Sequence, residues 1–197
     1  MKRFPTKTIT YTALLVALQV VLGSLVQVQI GNWKQFNFGF LAIASAGILM
    51  GPVPAMIVGA LGDIVGTLLF PTGAYFPGFT LSNLIVGALY GLLLRRGRKD
   101  ALSDSVSSAN QELLVRAVIA SFLVAMVYLL LNSLWLSILY GSRTYVMWLS
   151  ARAASNLVEI PLCSALLLLL QKALLRLPKS LLPEEREVAA QSTGKQA

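Results

Sequence analysis

Long apolar runs separated by short polar or Pro/Gly-containing breaks dominate this chain. A membrane-crossing helix needs about 20 such residues, fewer where neighbours bury it. Counting runs between turn signals predicts six spans, at about 8–29, 38–53, 55–70, 77–95, 114–140 and 152–177. Gly51-Pro52-Val53-Pro54 leaves room only for a tight turn between the second and third. The fifth run exceeds what a bilayer requires, so it should tilt or project. Residues 30–37, 70–77 and 141–151 become loops on one side. The polar, Ser-rich stretch 97–112 becomes a flexible linker on the other, and 183–197 a disordered tail. No repeat of 20–50 residues is evident. The expected fold is an all-α integral membrane bundle of six transmembrane helices, forming a single domain over 1–180.

Composition supports this pattern. Of 197 residues, 56% are hydrophobic and 12% charged, with mean hydropathy +0.74. Soluble domains carry roughly 25% charged residues. The first run ends in Gln27-Val28-Gln29, not a small-residue cleavage site, and reads as a retained helix.

The net charge of +8 would suit nucleic acid, but the placement of the bases argues for a membrane instead. Lys2, Arg3 and Lys7 precede the first span, Arg95, Arg96, Arg98 and Lys99 follow the fourth, and Lys172, Arg176 and Lys179 close the last. The opposite loops hold Lys34 and Arg143, with Arg152 just inside the sixth span. By the positive-inside rule both termini are cytoplasmic, in agreement with the even number of spans. The chain has no histidine, which excludes His-based triads and His-ligated metal sites. The lone Cys163 has no partner for an intramolecular disulfide. There is no phosphate-binding loop of the Gly-x-x-x-x-Gly-Lys-Ser/Thr type, so any ATP must be held by another polypeptide.

Candidate chemistry concentrates at a few places. Phe70-Pro-Thr-Gly-Ala-Tyr-Phe-Pro-Gly-Phe-Thr-Leu-Ser-Asn83 combines rigid prolines, permissive glycines and flat aromatic faces. It reads as a rigid ligand-contacting loop; the plainer alternative is an interfacial aromatic belt. Asp63 lies mid-span among glycines, either bonding a ligand's N–H groups or tying a neighbouring helix. Arg152, Asn156 and Glu159 fall at i, i+4 and i+7 and share a face, as do Tyr128, Asn132 and Trp135, and Thr80, Asn83, Gly87 and Tyr90. Arg152 and Glu159 lie about 10 Å apart along the axis, too far for a simple ion pair. One polar centre between the three helices would satisfy all three stripes; ordinary inter-helix hydrogen bonds are the alternative for each alone. Lys34 and Arg143, with Trp33, Phe36, Phe38, Tyr140 and Tyr145, form a basic aromatic rim suited to an anionic, flat ligand or to lipid headgroups. Ala13-x-x-x-Ala17 and Gly87-x-x-x-Gly91 are small-residue patterns for internal packing or a partner subunit.

Together these residues resemble the substrate-binding S components of energy-coupling factor (ECF) vitamin transporters, specifically the folate type. The resemblance runs through Phe38-Gly-Phe-Leu, Gly47-Ile-Leu-Met-Gly51-Pro52, Gly62-Asp63 and above all Phe70–Ser82. It resumes at Leu131-Asn-Ser-Leu-Trp-Leu-Ser-Ile-Leu-Tyr-Gly141 and, more loosely, from Arg152 to Pro161. It implies a cavity near the outer surface for folate or a reduced folate, and no catalysis, cofactor or metal. It also implies a transmembrane coupling subunit that meets Ala13 and Ala17, a pair of ATP-binding subunits, and rotation in the membrane to release ligand inward. The implied ligand-contacting set is Lys34, Phe38, Phe70, Tyr75, Phe76, Thr80, Asn83, Trp135, Arg143, Arg152 and Asn156. A pterin would stack on Tyr75, Phe76 and Trp135, with its N–H edge read by Asn83 or Asn156. The glutamate carboxylates would meet Arg143, Lys34 or Arg152. Ala42 stands where the resemblance leads one to expect Pro, and Glu159 adds an acid near the site. An S component for another vitamin or heterocycle therefore stays as the alternative. From other classes, a membrane enzyme acting on lipid is disfavoured by the absence of paired carboxylates or a nucleophile–base pair. A non-transporting assembly subunit is disfavoured by the convergence of polar stripes.

Overall fold

The computed structural model describes residues 6–30, 34–71, 75–95, 106–141 and 145–176. Among these, six α-helices follow one another: α1 (Thr6–Val20), α2 (Gly39–Met50), α3 (Pro52–Leu69), α4 (Pro77–Leu93), α5 (Val106–Tyr140) and α6 (Tyr145–Leu175). Three segments, Thr6–Leu25, Pro52–Leu69 and Gln111–Leu139, are long and apolar enough to cross a membrane, and α2 and α4 are shorter apolar helices. Large apolar side chains stand exposed on the outside of the bundle, among them Leu14, Leu68, Leu92, Val158 and Leu169. In water such a surface would be a liability; in a bilayer it is the lipid-facing side. The chain is a membrane protein.

The expectation of an unbroken first span over 8–29 fails. After α1 the helix widens into a π-helical turn at Val21–Leu25, and the chain then forms a two-stranded antiparallel hairpin, β1 (Gln27–Ile30) with β2 (Lys34–Asn37). Among the described residues the fold is thus helical with a hairpin, and Lys34–Asn37 is a strand rather than loop. Val26-Gln-Val-Gln-Ile30 alternates apolar and polar residues, the period of a strand, which explains the change. The hairpin leads back to the bundle through a hydrogen bond from the Phe38 amide to the Leu22 carbonyl at 3.3 Å. Asn37 Oδ1 accepts from the Gly39 amide at 3.2 Å and starts α2.

The turn between α2 and α3 is tighter than Gly51–Pro54 suggested. Gly51 alone makes it, at φ +91°, a conformation a side chain would strain. Pro52 opens α3, where its missing N–H costs nothing. Pro77 does the same for α4, and Phe76 before it is extended, as a residue preceding proline should be.

Helix α5 begins at Val106 rather than near 114, so 106–112 is helix, not linker. The Arg116 guanidinium anchors this end of the helix. It pairs with Glu112 one turn earlier at 2.7 Å and donates to the Leu93 and Arg95 carbonyls at 3.5 and 3.4 Å, docking this end of α5 on the end of α4. Helix α6 begins at Tyr145, so most of the expected loop 141–151 is also helical and Arg152 lies two turns in. Pro161 sits within α6 and deprives it of one backbone donor. The expected linker over 97–105, the tail 183–197 and Arg143 lie outside the described residues.

Helices α3 and α4 pack most extensively, followed by α5 and α6. The α3–α4 contact is close because two glycines make room: a Cβ on Gly59 would meet the Asn83 carbonyl, and one on Gly87 the Ala55 carbonyl. Gly91 fits against Pro52 in the same way, so Gly87 and Gly91 pack internally. Ile43, Val58, Val86, Tyr90, Ala117, Ala120 and Leu167 form the buried centre. This packing fixes the register of α3 against α4, and with it the position of every polar group on their shared face.

Candidate functional site

Asp63 on α3 organises the polar face of α4. Thr80 Oγ1 donates to Asp63 Oδ2 at 2.6 Å, and Asn83 Nδ2 donates to Asp63 Oδ1 at 2.9 Å. Thr80 and Asn83 are three residues apart on α4 and therefore stand on one face. From α5 the Tyr128 hydroxyl donates to Asn83 Oδ1 at 2.7 Å. From the α3–α4 connection the Tyr75 hydroxyl lies 3.2 Å from Thr80 Oγ1. One carboxylate thus ties α3, α4, α5 and Tyr75 into a single network.

Beside this network runs a cavity of about 450 Å³, walled by α1, the π turn, α2, α3, α4, α5 and α6. On α5 its lining extends from Ser121 to Leu139, about 27 Å at 1.5 Å per residue. A long, narrow ligand fits such a shape. Phe70, Tyr75, Phe76 and Phe79 line it, and Asn83, Asn132, Arg152, Asn156 and Glu159 supply polar groups. Phe76 meets Phe79 edge to face at 6.1 Å and Trp135 at 5.7 Å.

Of the site residues expected from the sequence, Phe70, Tyr75, Phe76, Asn83, Arg152 and Asn156 are brought together on this wall. Thr80 stands behind it, its hydroxyl committed to Asp63. Trp135 also stands behind the wall: its indole N–H donates to Ser82 Oγ at 3.1 Å and its ring supports Phe76. Ser82 in turn donates to the Gly78 carbonyl at 3.2 Å. Phe38 packs against the buried centre rather than the cavity. Lys34 is the first residue of β2.

The cavity also takes in residues not in the expected set. Asp63, Tyr128, Asn132 and Glu159 line it, and each stood on a polar stripe or inside a span, so the signal was present. Gln19 of α1, Ser24 of the π turn and Asn37 of the hairpin line it too and were not legible, since none stands on a stripe or motif that marks it. Gln19 is buried, and a Cβ on Gly62 would overlap its side-chain amide, so Gly62 is the notch that holds it. Its Oε1, like Asn132 Oδ1 and Arg152 Nε, has no hydrogen-bond partner among the described residues. Three buried polar atoms without partners on one cavity wall are what a bound polar ligand would satisfy. Among the described residues no cluster of His, Cys, Asp or Glu is arranged to hold a metal ion.

A second, apolar groove of about 380 Å³ runs outside the bundle between α1 and α3, lined by Thr8, Ile9, Thr12, Ala13, Val16, Pro54, Ile57 and Leu61. Ala17 is exposed one turn beyond Ala13.

A helical membrane bundle with an elongated, aromatic and polar cavity belongs to the class of membrane ligand-binding proteins. The chain is a member of the ECF transporter substrate-specific component family, whose model matches residues 7–171. It is a binding component of a transporter, not an enzyme. Relatives include the folate transporter FolT of Clostridium novyi (strain NT), 30% identical over 154 residues, which cover 77% of this chain and 80% of that protein. The folate transporter FolT of Leuconostoc mesenteroides is 27% identical over 165 residues, covering 81% and 82%. Among solved structures, FolT bound with folic acid superimposes with a TM-score of 0.70 at 28% identity, covering 86% of this chain and 95% of that one. The S component of a bacterial ECF transporter shares the fold, with a TM-score of 0.57 at 21% identity and coverage of 85% and 95%.

Proposed function

We propose that this chain is the membrane-embedded binding subunit for uptake of folate or a reduced folate. It works in the cell membrane as a six-span protein with both termini cytoplasmic. A separate transmembrane coupling subunit docks on the Ala13–Ala17 face, and partner subunits hold and hydrolyse ATP. The observation that carries the ligand assignment is the cavity itself: elongated, aromatic beside Tyr75 and Phe76, and furnished with Asn83, Asn156 and Arg152. A flat pterin stacks on the aromatic part, and Arg152 meets a glutamate carboxylate. Arg143 and Lys34 are assigned to the same anionic tail from their place in the sequence. The similarity to folate transporters supports this reading.

Folic acid added to the purified protein tests it, because a ligand that binds only the folded state raises thermal stability. The gain is about 2.7 kcal/mol at one hundred times Kd. A shift with folic acid or 5-formyltetrahydrofolate is the expected result. No shift with either, but one with a different heterocyclic vitamin, favours the alternative reading, for which the acid Glu159 on the cavity wall is the specific observation.

A further inference from the structure

The network around Asp63 has a direction, and the direction follows from the donor and acceptor inventory of its members. Both Asp63 oxygens accept, one from Thr80 and one from Asn83. Thr80 has a single hydroxyl proton and it goes to Asp63, so at the 3.2 Å contact with Tyr75 the Thr80 oxygen accepts and Tyr75 donates. On the other branch the Asn83 amino group must face the carboxylate, which turns its carbonyl oxygen to Tyr128. An amide oxygen only accepts, so Tyr128 donates. Both phenol protons are therefore spent inside the protein. What Tyr75 and Tyr128 present to the cavity they line is oxygen lone pairs.

We propose that Asp63 is a positioning residue for ligand selectivity. By drawing the protons of Thr80 and Asn83 toward itself it locks Tyr75 and Tyr128 as acceptors, and the cavity selects a flat heterocycle by the N–H donors on its edge. Glu159, also on the wall, adds a further acceptor-rich group to the same chamber. Tyr128 carries the larger share of the discrimination, because Tyr75 is 47% exposed and its oxygen competes with water or headgroups. The identity of the ring rests on the folate reading above. The pterin of a folate bears a 2-amino group and an adjacent ring N–H, two donors on one edge, where the acceptors need them.

The experiment compares Kd for folic acid with Kd for its analogue carrying a 2-methyl group in place of the 2-amino group, using the purified full chain. The wild-type protein should prefer folic acid by about tenfold or more, the cost of leaving a buried acceptor without its donor. Tyr128→Phe removes one acceptor and Asp63→Asn places donors where only an acceptor stood. Each should compress the preference toward unity. A residue with a purely structural role would weaken both ligands alike and leave the ratio unchanged. Tyr128→Phe keeps the ring and its packing, so it reads the effect even where Asp63→Asn fails to fold. Tight folic acid binding with an unaltered ratio in Tyr128→Phe overturns this inference and leaves the folate reading standing. A wild-type protein that binds neither compound overturns both.

Discussion

Asn83 donates its side-chain amide to Asp63 at 2.9 Å across the α3–α4 contact, while its own carbonyl closes over Gly59 four residues before Asp63 on α3. The backbone approach and the side-chain bond are two parts of one fit. Without the glycine the helices would stand apart, and the amide would not reach the carboxylate.

Gly59→Val is therefore expected to push α4 away. Overpacking of this kind costs about 1–3 kcal/mol, and folic acid affinity should fall with stability as Asn83 leaves Asp63. Gly66→Ala is the control: on the same helix its new Cβ would have only Ser24 Oγ nearby, at 3.4 Å. That variant should match or exceed the parent, by up to about 1 kcal/mol of helix propensity. Thermal unfolding of the two proteins checks the contrast; equal losses would show that the α3–α4 approach is not what holds the pair.

Arg152→Ala should weaken folic acid binding by roughly ten- to a hundredfold, the range for a hydrogen bond to a charged group. Its Nε has no hydrogen-bond partner among the described residues, as a group held ready for a ligand would. Titration calorimetry measures the affinity. Unchanged affinity would assign the carboxylates to another base.

Trp135 separates two contributions. Trp135→Phe deletes the hydrogen bond to Ser82, a loss near the 0.6 kcal/mol average for such bonds in membranes. Trp135→Ala also removes the ring behind Phe76, worth about 0.5–1.5 kcal/mol beyond burial, and releases a cavity wall. Affinity should be nearly kept in the first and clearly reduced in the second. The opposite order would mean that Trp135 contacts the ligand through its N–H.

Ala13→Leu fills the outer groove without touching the cavity. Ligand affinity of the isolated protein should stay as it is, while uptake by cells carrying the coupling subunits should fall. Normal uptake would remove this face from the list of docking surfaces.

Much of the bundle was legible because its signals are local. Apolar runs, prolines at helix starts and stripes at i, i+4 and i+7 need no partner to be recognised. Asn83, Arg152 and Asn156 were read from such stripes and do line one cavity. Thr80 and Trp135 share the same stripes yet face Asp63 and Ser82, because a stripe gives the side of a helix and not which neighbour answers it. Gln19 was hidden for a different reason. It lies on an apolar helix, and the notch that receives it is Gly62 of α3, far away in sequence. The docking of α5 on the end of α4 uses Arg116 and carbonyls 21 and 23 residues away, which no local count anticipates.

Gln19 and Ala13 belong to the same helix, one lining the inner chamber and the other the outer groove. The two spaces follow one another along one face of that helix, for Thr12 and Val16 of the groove and Gln19 of the chamber fall at i, i+4 and i+7. Whatever fills the chamber and whatever docks in the groove bear on neighbouring turns of one rod, so no relay through the protein is needed for each to register the other.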